Sequence, residues 1–485
     1  MRVLHVCSEL YPLLKTGGLA DVAGALPVVL ETLGCDSRAL VPGFPAFMNG
    51  IKEKEVIVDL SSQFGGMTVK ILLGKLPDTN IKVYIIESPE LYDRPGNPYA
   101  DANNQPYSDN YRRFGLLGWI AGQIANGLDS TWKPEVVHGH DWHAGLAPAY
   151  IKAIELTQGV QLAGTIFTVH NLAYQGTFPA YVFPELNLPN HFYNVNGLEF
   201  FNQISFLKAG LFYADKITTV SPTYATEIQS EEQGCGLHGL LATRHNDLSG
   251  ILNGVDGNVW NPAKDPVINT NYSVKSIADK QKCRAELQEL SGITIQDDKP
   301  VFVVVSRLTE QKGLNLVLDG LSEILERGGQ IVILGAGDKD MEKRYKALAK
   351  KNKEQMSVQI GYDEALAHKI IAGGDVILVP SRFEPCGLTQ LYGLLYGTLP
   401  LVRKVGGLSD TVTDCSLENL ADETATGFVF SDFNTDSYKA AVRRAFALHA
   451  RKADWKKVQK RAMQSNFSWE ASAKVYLGLY KQIAR

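Results

Sequence analysis

Four short stretches of this chain carry side chains suited to gripping an anion or a polyhydroxylated ligand. Lys15-Thr16-Gly17-Gly18-Leu19-Ala20-Asp21 places a cation and two glycines between an apolar run, Arg2–Cys7, and a helical pattern. Glycines let a backbone approach a ligand closely, and the helix N-terminus behind them favours negative charge. Phosphate is the natural ligand, although the lysine precedes the glycines, unlike a Walker loop. A plain strand-to-helix turn is the alternative. Ser306-Arg307-Leu308-Thr309-Glu310-Gln311-Lys312-Gly313 sets two cations five residues apart after another apolar run. The pair suits a diphosphate, since a guanidinium can bind oxygens bidentately; the alternative is a solvated basic pair. Gly335-Ala336-Gly337 is a weak nucleotide signal without a third glycine, and Tyr362 follows the next apolar run, where it could stack on a base. In Ser381-Arg382-Phe383-Glu384-Pro385-Cys386-Gly387-Leu388-Thr389-Gln390, a carboxylate precedes a glycine turn that opens a helix. Glu384 could accept from sugar hydroxyls, and the helix start at Thr389 could receive phosphate.

Two further stretches are rich in imidazole. His138-Gly139-His140-Asp141-Trp142-His143 holds three histidines and a carboxylate in six residues, and Phe167-Thr168-Val169-His170-Asn171 repeats a polar end on a β-like run. A metal cluster is one reading. His138, His140 and the turn that follows are expected to project in different directions, however, and no distant fourth ligand is evident. The reading adopted is a strand end feeding polar groups into a cleft, with no metal.

The elements that must position these groups alternate strand and helix. Arg2–Cys7, Ser37–Val41, Val136–His138, Thr165–Val169 and Asp215–Val220 read as strands, with helices over Gly18–Leu33 and His143–Leu156 and two or three strands between Glu55 and Glu87 around a Gly65-Gly66 turn. A second series follows: Pro300–Val305, Gln330–Leu334, Val358–Ile360, Val376–Val379 and Leu399–Val402, nearly all apolar, as expected of strands buried on both faces. Two such series joined by an Asn/Asp/Gly/Pro linker predict an α/β fold of two Rossmann-like doubly wound domains facing a central cleft, where ligands sit beyond strand C-termini. The expected domains are residues 1–253, 254–464 and a final helical segment, 465–485, crossing back to the first, with Trp469, Val475, Tyr476, Leu479 and Ile483 as its apolar face.

Composition narrows the class. The 485 residues are 45% hydrophobic and 21% charged, with formal net charge −4. No basic excess suggests nucleic acid, and no apolar run approaches a membrane span. The start lacks a signal-peptide pattern. Six scattered cysteines without a CxxC pair predict free thiols, not a disulfide frame or zinc site. A cytoplasmic setting is the expectation.

Taken together, the Lys-Thr-Gly-Gly-Leu-Ala-Asp opening, the His-Asp-Trp-His segment, Ser-Arg-Leu-Thr-Glu-Gln-Lys-Gly and Arg-Phe-Glu-Pro-Cys-Gly-Leu resemble the bacterial glycogen synthases and plant starch synthases, in order and across essentially the whole chain. The resemblance implies the GT-B fold and transfer of glucose from ADP-glucose to an α-1,4-glucan with retention of configuration. ADP-glucose, ADP and glycogen or a malto-oligosaccharide are the implied partners, and no cofactor is implied. It places Lys15 and Gly18 near the donor phosphates and Arg307 and Lys312 on the diphosphate. It puts Tyr362 beside adenine and His170 and Asn253 near the glucose 6-hydroxyl. Glu384, Cys386 and Gly387 fall around the 3- and 4-hydroxyls, with Thr389 on phosphate and Leu388 also on the donor side. Asp141, His143 and Tyr99 fall on the acceptor side. One departure stands out: many relatives in the wider superfamily carry a second Glu eight positions after the first, which binds ribose, and here that position is Tyr392. No transit-peptide pattern is present, which favours the bacterial type.

Overall fold

The computed structural model describes residues 1–485. The chain divides into two compact units, Met1–Gly254 with Trp469–Arg485, and Val255–Ser468. The crossings thus fall at 254/255 and 468/469. Within the second unit, its two chain ends pair: the Val255 amide donates to the Phe467 carbonyl (2.7 Å).

The first unit is built on a nine-stranded sheet in the order Leu248–Gly250, Lys216–Thr219, Gly164–Val169, Val136–His140, Arg2–Val6, Asp36–Pro42, Lys82–Glu87, Lys70–Lys75 and Lys52–Asp59. The first seven run parallel; the last two add antiparallel. The central parallel strands are almost wholly buried, which explains their continuous apolar composition. Gly65 and Gly66 lie at positive φ (62° and 75°), in the turn region expected from the sequence. A three-stranded sheet, Thr177–Pro179, Glu199–Phe200 and Gln203–Ser205, is a local addition that the sequence reading lacked.

The second unit carries a six-stranded parallel sheet in the order Met356–Ile360, Gln330–Gly335, Val301–Val305, Val376–Val379, Leu399–Arg403 and Phe428–Phe430. Five of these strands were expected; Phe428–Phe430, three residues at the edge, was too short to show a period. Local signals fix the helices. Asp338 accepts the Met341 amide (2.9 Å) at the start of Lys339–Lys351, whose last turn carries Lys350 and Lys351 to complement its dipole. Two glycines here are packing requirements. A Cβ on Gly335 would lie 1.9 Å from the Ser306 carbonyl oxygen, and one on Gly337 would lie 2.5 Å from that of Leu308. The Gly-x-Gly pattern is thus explained by backbone crossing alone.

The last helix, Trp469–Ile483, belongs to the first unit and packs Trp469, Ala473, Tyr476, Tyr480 and Ile483 against Val22, Leu26, Leu30 and Ile166. Val475 was expected on this face but is 52% exposed. Ala473 and Tyr480, one turn either side of Tyr476, take the buried stripe instead, as a 3.6-residue period requires.

Candidate active site

In the first unit, the chain leaves its first strand through Ser8 and Glu9 and returns through the lysine–glycine loop. Glu9 is 3% exposed and organises that loop. Its carboxylate accepts the amides of Thr16 (2.7 Å) and Gly17 (3.1 Å), the Thr16 hydroxyl, and the Tyr99 hydroxyl (2.5 Å). The Gly17 amide, at one of the two glycines expected to approach a ligand, is therefore engaged by Glu9, as is that of Thr16. The helix Gly18–Thr32 starts directly after them. A Cβ on Gly17 or Gly18 would meet nothing within 4 Å, so the protein itself leaves open space there. Lys15 is surface-placed and pairs with Asp21 (2.8 Å). Tyr99 turns its hydroxyl inward to Glu9 and Ser8 and stacks its ring on His143 (centroids 4.6 Å apart). Glu9 was absent from the sequence reading. A glutamate just past the first strand was its only signal, and nothing local told that it would fold back seven residues.

Asp141 follows the strand Val136–His140 and sits at φ 58°, ψ 178°, a conformation that non-glycine residues rarely adopt. It is buried, and its carboxylate accepts the backbone amides of His170 (2.9 Å) and Asn171 (3.4 Å). Burial raises its carboxyl to about 7, and those two amide donors oppose the rise. His143 is buried with its Nδ1 unpartnered, and burial holds its imidazole well below its ordinary pKa. Asn253 is buried three residues past the edge strand Leu248–Gly250.

His170 ends a file of imidazoles. His140 Nδ1 lies 3.2 Å from His170 Nε2, and His140 Nε2 lies 3.3 Å from His5 Nδ1. Burial lowers His5 and His170 to about 3 and His140 well below its ordinary value, so all are neutral at neutral pH. His5, absent from the sequence reading, stands beside His138 in the parallel register of neighbouring strands. Ring nitrogens of His5, His138 and His140 come within 4.8 Å of one another. Both nitrogens of His138 already have partners, the Tyr480 hydroxyl (2.8 Å) and Thr168 Oγ1 (2.6 Å).

In the second unit, Glu384 and Lys312 form a half-sheltered ion pair (2.6 Å), and Ser381 Oγ donates to the same carboxylate oxygen (2.9 Å). Both line a cavity with Ser306, Gly387, Leu388 and Thr389. Thr389 is the first residue of the helix Thr389–Leu395. Glycines hold the wall in shape: Gly313 and Gly387 take positive φ (72° and 74°), and the Gly407 amide donates to the Glu384 carbonyl (3.1 Å). Cys386 is buried beneath them. Arg307 is exposed, its guanidinium donating to Gln311 Oε1 (3.1 Å). Tyr362 is 76% exposed at the end of the strand Met356–Ile360. Tyr392 stacks on Trp260 (3.9 Å, interplanar 7°), which stacks in turn on His368 (3.7 Å). The position where a ribose-binding carboxylate occurs in the wider superfamily is here part of an aromatic pile.

Residues 2–243 match a family model described as starch synthase catalytic domain, and residues 288–462 match one described as glycosyl transferases group 1. A glycogen synthase of Francisella philomiragia is 64% identical over 484 residues, covering 100% of both chains. The chain belongs to the glycogen synthase family. Another member, from Francisella tularensis subsp. novicida, is 63% identical over 100% of this chain and 99% of its own. The catalytic domain of starch synthase IV from Arabidopsis thaliana, solved bound to ADP and acarbose, superposes with a TM-score of 0.89 at 30% identity, covering 99% of both chains. A sucrose-phosphate synthase from Thermosynechococcus elongatus shares the fold alone, with a TM-score of 0.60 at 18% identity over 99% of this chain and 98% of that one. As a glycogen synthase family member, the chain is a glycosyltransferase with the two-domain α/β GT-B build. No helix is long and apolar enough to cross a membrane.

Proposed function

We propose that the chain transfers glucose from ADP-glucose to the non-reducing end of an α-1,4-glucan, with retention of configuration and release of ADP, in the cytoplasm. In this reading residues 254–464 serve the donor, residues 1–253 the acceptor, and 465–485 complete the first unit. The observation that carries it is the Lys312–Glu384 pair at 2.6 Å in a cavity that also contains Thr389 at a helix start. A cation and helix amides suit a leaving diphosphate; a carboxylate suits sugar hydroxyls. The starch synthase neighbour bound to ADP supports the adenine nucleotide, and the acarbose in the same structure supports a glucan acceptor.

Breaking the bond from anomeric carbon to phosphate builds positive charge on the sugar and negative charge on the diphosphate. Arg307 and Lys312 neutralise the diphosphate and Lys15 supports it; Thr389 adds its helix-start donors. The open space at Gly18 admits phosphate. Glu384 orients the 3- and 4-hydroxyls with Cys386 and Gly387 and favours the sugar cation, and Leu388 lines the donor side. His170 and Asn253 meet the 6-hydroxyl, and the exposed ring of Tyr362 stacks on adenine. Asp141, His143 and Tyr99 serve the acceptor side. The acceptor 4-hydroxyl attacks from the face the phosphate leaves, and the phosphate takes its proton, so no metal, cofactor or protein nucleophile is called on. Release of ADP, followed with ADP-glucose and UDP-glucose in the presence and absence of glycogen, tests the reading. Glycogen-dependent release from ADP-glucose is expected. Release from UDP-glucose alone would overturn the donor, and a trapped glucosyl-enzyme would overturn the same-face route.

A further inference from the structure

We propose that His140, backed by His5, is a positioning residue that locks the ring and the proton of His170; the proposal rests on reading His170 as a sugar-facing group. The three imidazoles stand in single file. At each junction the same atoms meet, Nδ1 of one ring against Nε2 of the next: His5 to His140 at 3.3 Å, and His140 to His170 at 3.2 Å. His5 and His140 are 0% exposed on adjacent parallel strands, and His170 is half-buried just past the next strand.

A neutral imidazole carries one N–H and one bare nitrogen. Each junction needs one of each. Since the junctions are alike, only two arrangements satisfy both bonds: every ring protonated on Nδ1, or every ring protonated on Nε2. Any other arrangement sets two N–H groups or two lone pairs face to face inside the protein, at the cost of an unmade buried hydrogen bond. The proton positions of three residues thus reduce to one choice. The file is closed at its inner end, because His5 Nε2 is buried without a partner. His138, packed beside His140 (ring centroids 4.0 Å), does not compete, because Tyr480 and Thr168 hold both its nitrogens. The outer end is His170 Nδ1. Protonating every ring on Nε2 would bury the His5 N–H without an acceptor, so the file takes the arrangement with every ring protonated on Nδ1, and His170 Nδ1 offers its ligand a donor on a ring that cannot swing while His140 holds Nε2.

Long-range proton–nitrogen NMR on the full chain, labelled with ¹⁵N-histidine and free of substrate, reads which nitrogen of each ring is protonated. Single-site His→Asn variants assign the signals. The expected result is one tautomer for His170, the same one for His140 and His5. His140→Leu should release His170 into a mixture and lower kcat about 10–100-fold, as a loosened reacting geometry does, with the donor KM little changed. His140→Asn, whose amide N–H can donate to His170 Nε2 where Nδ1–H stood, should restore the native tautomer and most of kcat. A mixed or opposite tautomer at His170 in the unaltered protein would overturn the proposal, and that spectrum decides even if His140→Leu does not fold. So would unchanged kcat in a folded His140→Leu, or one equivalent of divalent metal bound through His140 Nε2. Failure of the transferase reading has a different appearance: no glucosyl transfer by the unaltered protein, with the tautomer pattern intact.

Discussion

Lys312 and Arg307 differ in surroundings although both are read as diphosphate cations. Lys312 is held by Glu384, whereas Arg307 stands in solvent with a neutral partner. Removing one preorganised charge at a developing anion typically lowers turnover 10²–10³-fold. Lys312→Ala and Arg307→Ala are each expected to fall in that range in steady-state assays of ADP release, and near-normal kcat in either would remove its assigned role. Asp141 makes a prediction about stability. Its carboxyl is raised to about 7, above its unfolded value, by burial. The folded state keeps a proton that the unfolded chain has lost. This contribution to stability is full in acid, declines as pH rises through the weakly acidic range, and is gone once pH passes about 7. Denaturant unfolding at pH 5 and pH 8 should therefore show a decline that Asp141→Asn reduces by about 2–3 kcal/mol. An equal decline in both proteins would show that Asp141 ionises normally.

The glycine-rich turns of the second unit set the position of Glu384 through backbone packing. A Cβ on Gly407 would lie 2.1 Å from the Cys386 carbonyl oxygen, against backbone that cannot rotate away. Gly407→Ala should cost about 1–3 kcal/mol through overpacking and should also depress kcat by shifting the Glu384 segment. Thermal unfolding paired with the ADP-release assay checks this; a stable, fully active variant would show that the segment adjusts freely. Gly18 behaves in the opposite way, since nothing in the protein crowds its Cβ position. The sequence shows the same residue type in both places, and only the neighbours reveal which glycine the fold requires.

The last helix makes the first unit discontinuous in sequence. Tyr480 sends its hydroxyl to His138 Nδ1 (2.8 Å), and its ring is fully buried. Tyr480→Phe leaves that nitrogen without its partner and should destabilise by about 1–3 kcal/mol. Deleting residues 469–485 also strips Trp469, Tyr476 and Ile483 from the core beneath the first helix, and should leave a chain that unfolds at a markedly lower temperature or is recovered insoluble. Differential scanning calorimetry separates the two; an unchanged transition in the truncated chain would mean that the helix adds nothing to the first unit.

Much of the design was legible before any fold was seen. Strands buried on both faces show as unbroken apolar runs because no residue on them meets water. Helix starts show through side chains such as Asp338 and Ser221 that cap their own backbone a few residues on. The candidate motifs could be placed at strand ends because, in a parallel sheet, a residue's place along the chain also gives its place at the sheet edge. What the sequence left open needed partners distant along the chain. Glu9 holds residues 16, 17 and 99, and His5 reaches His170 through His140, only once parallel registers are set. Val475 was misassigned although it stands one position round the helix from Tyr476, off the stripe that helical spacing draws through Trp469, Ala473, Tyr476, Tyr480 and Ile483. By itself the sequence determined the long strands of both series and their order, since local propensity and burial are written residue by residue. Tertiary structure alone decided the registers, the imidazole file and which glycines are crowded, because these depend on distances between segments that no local pattern encodes.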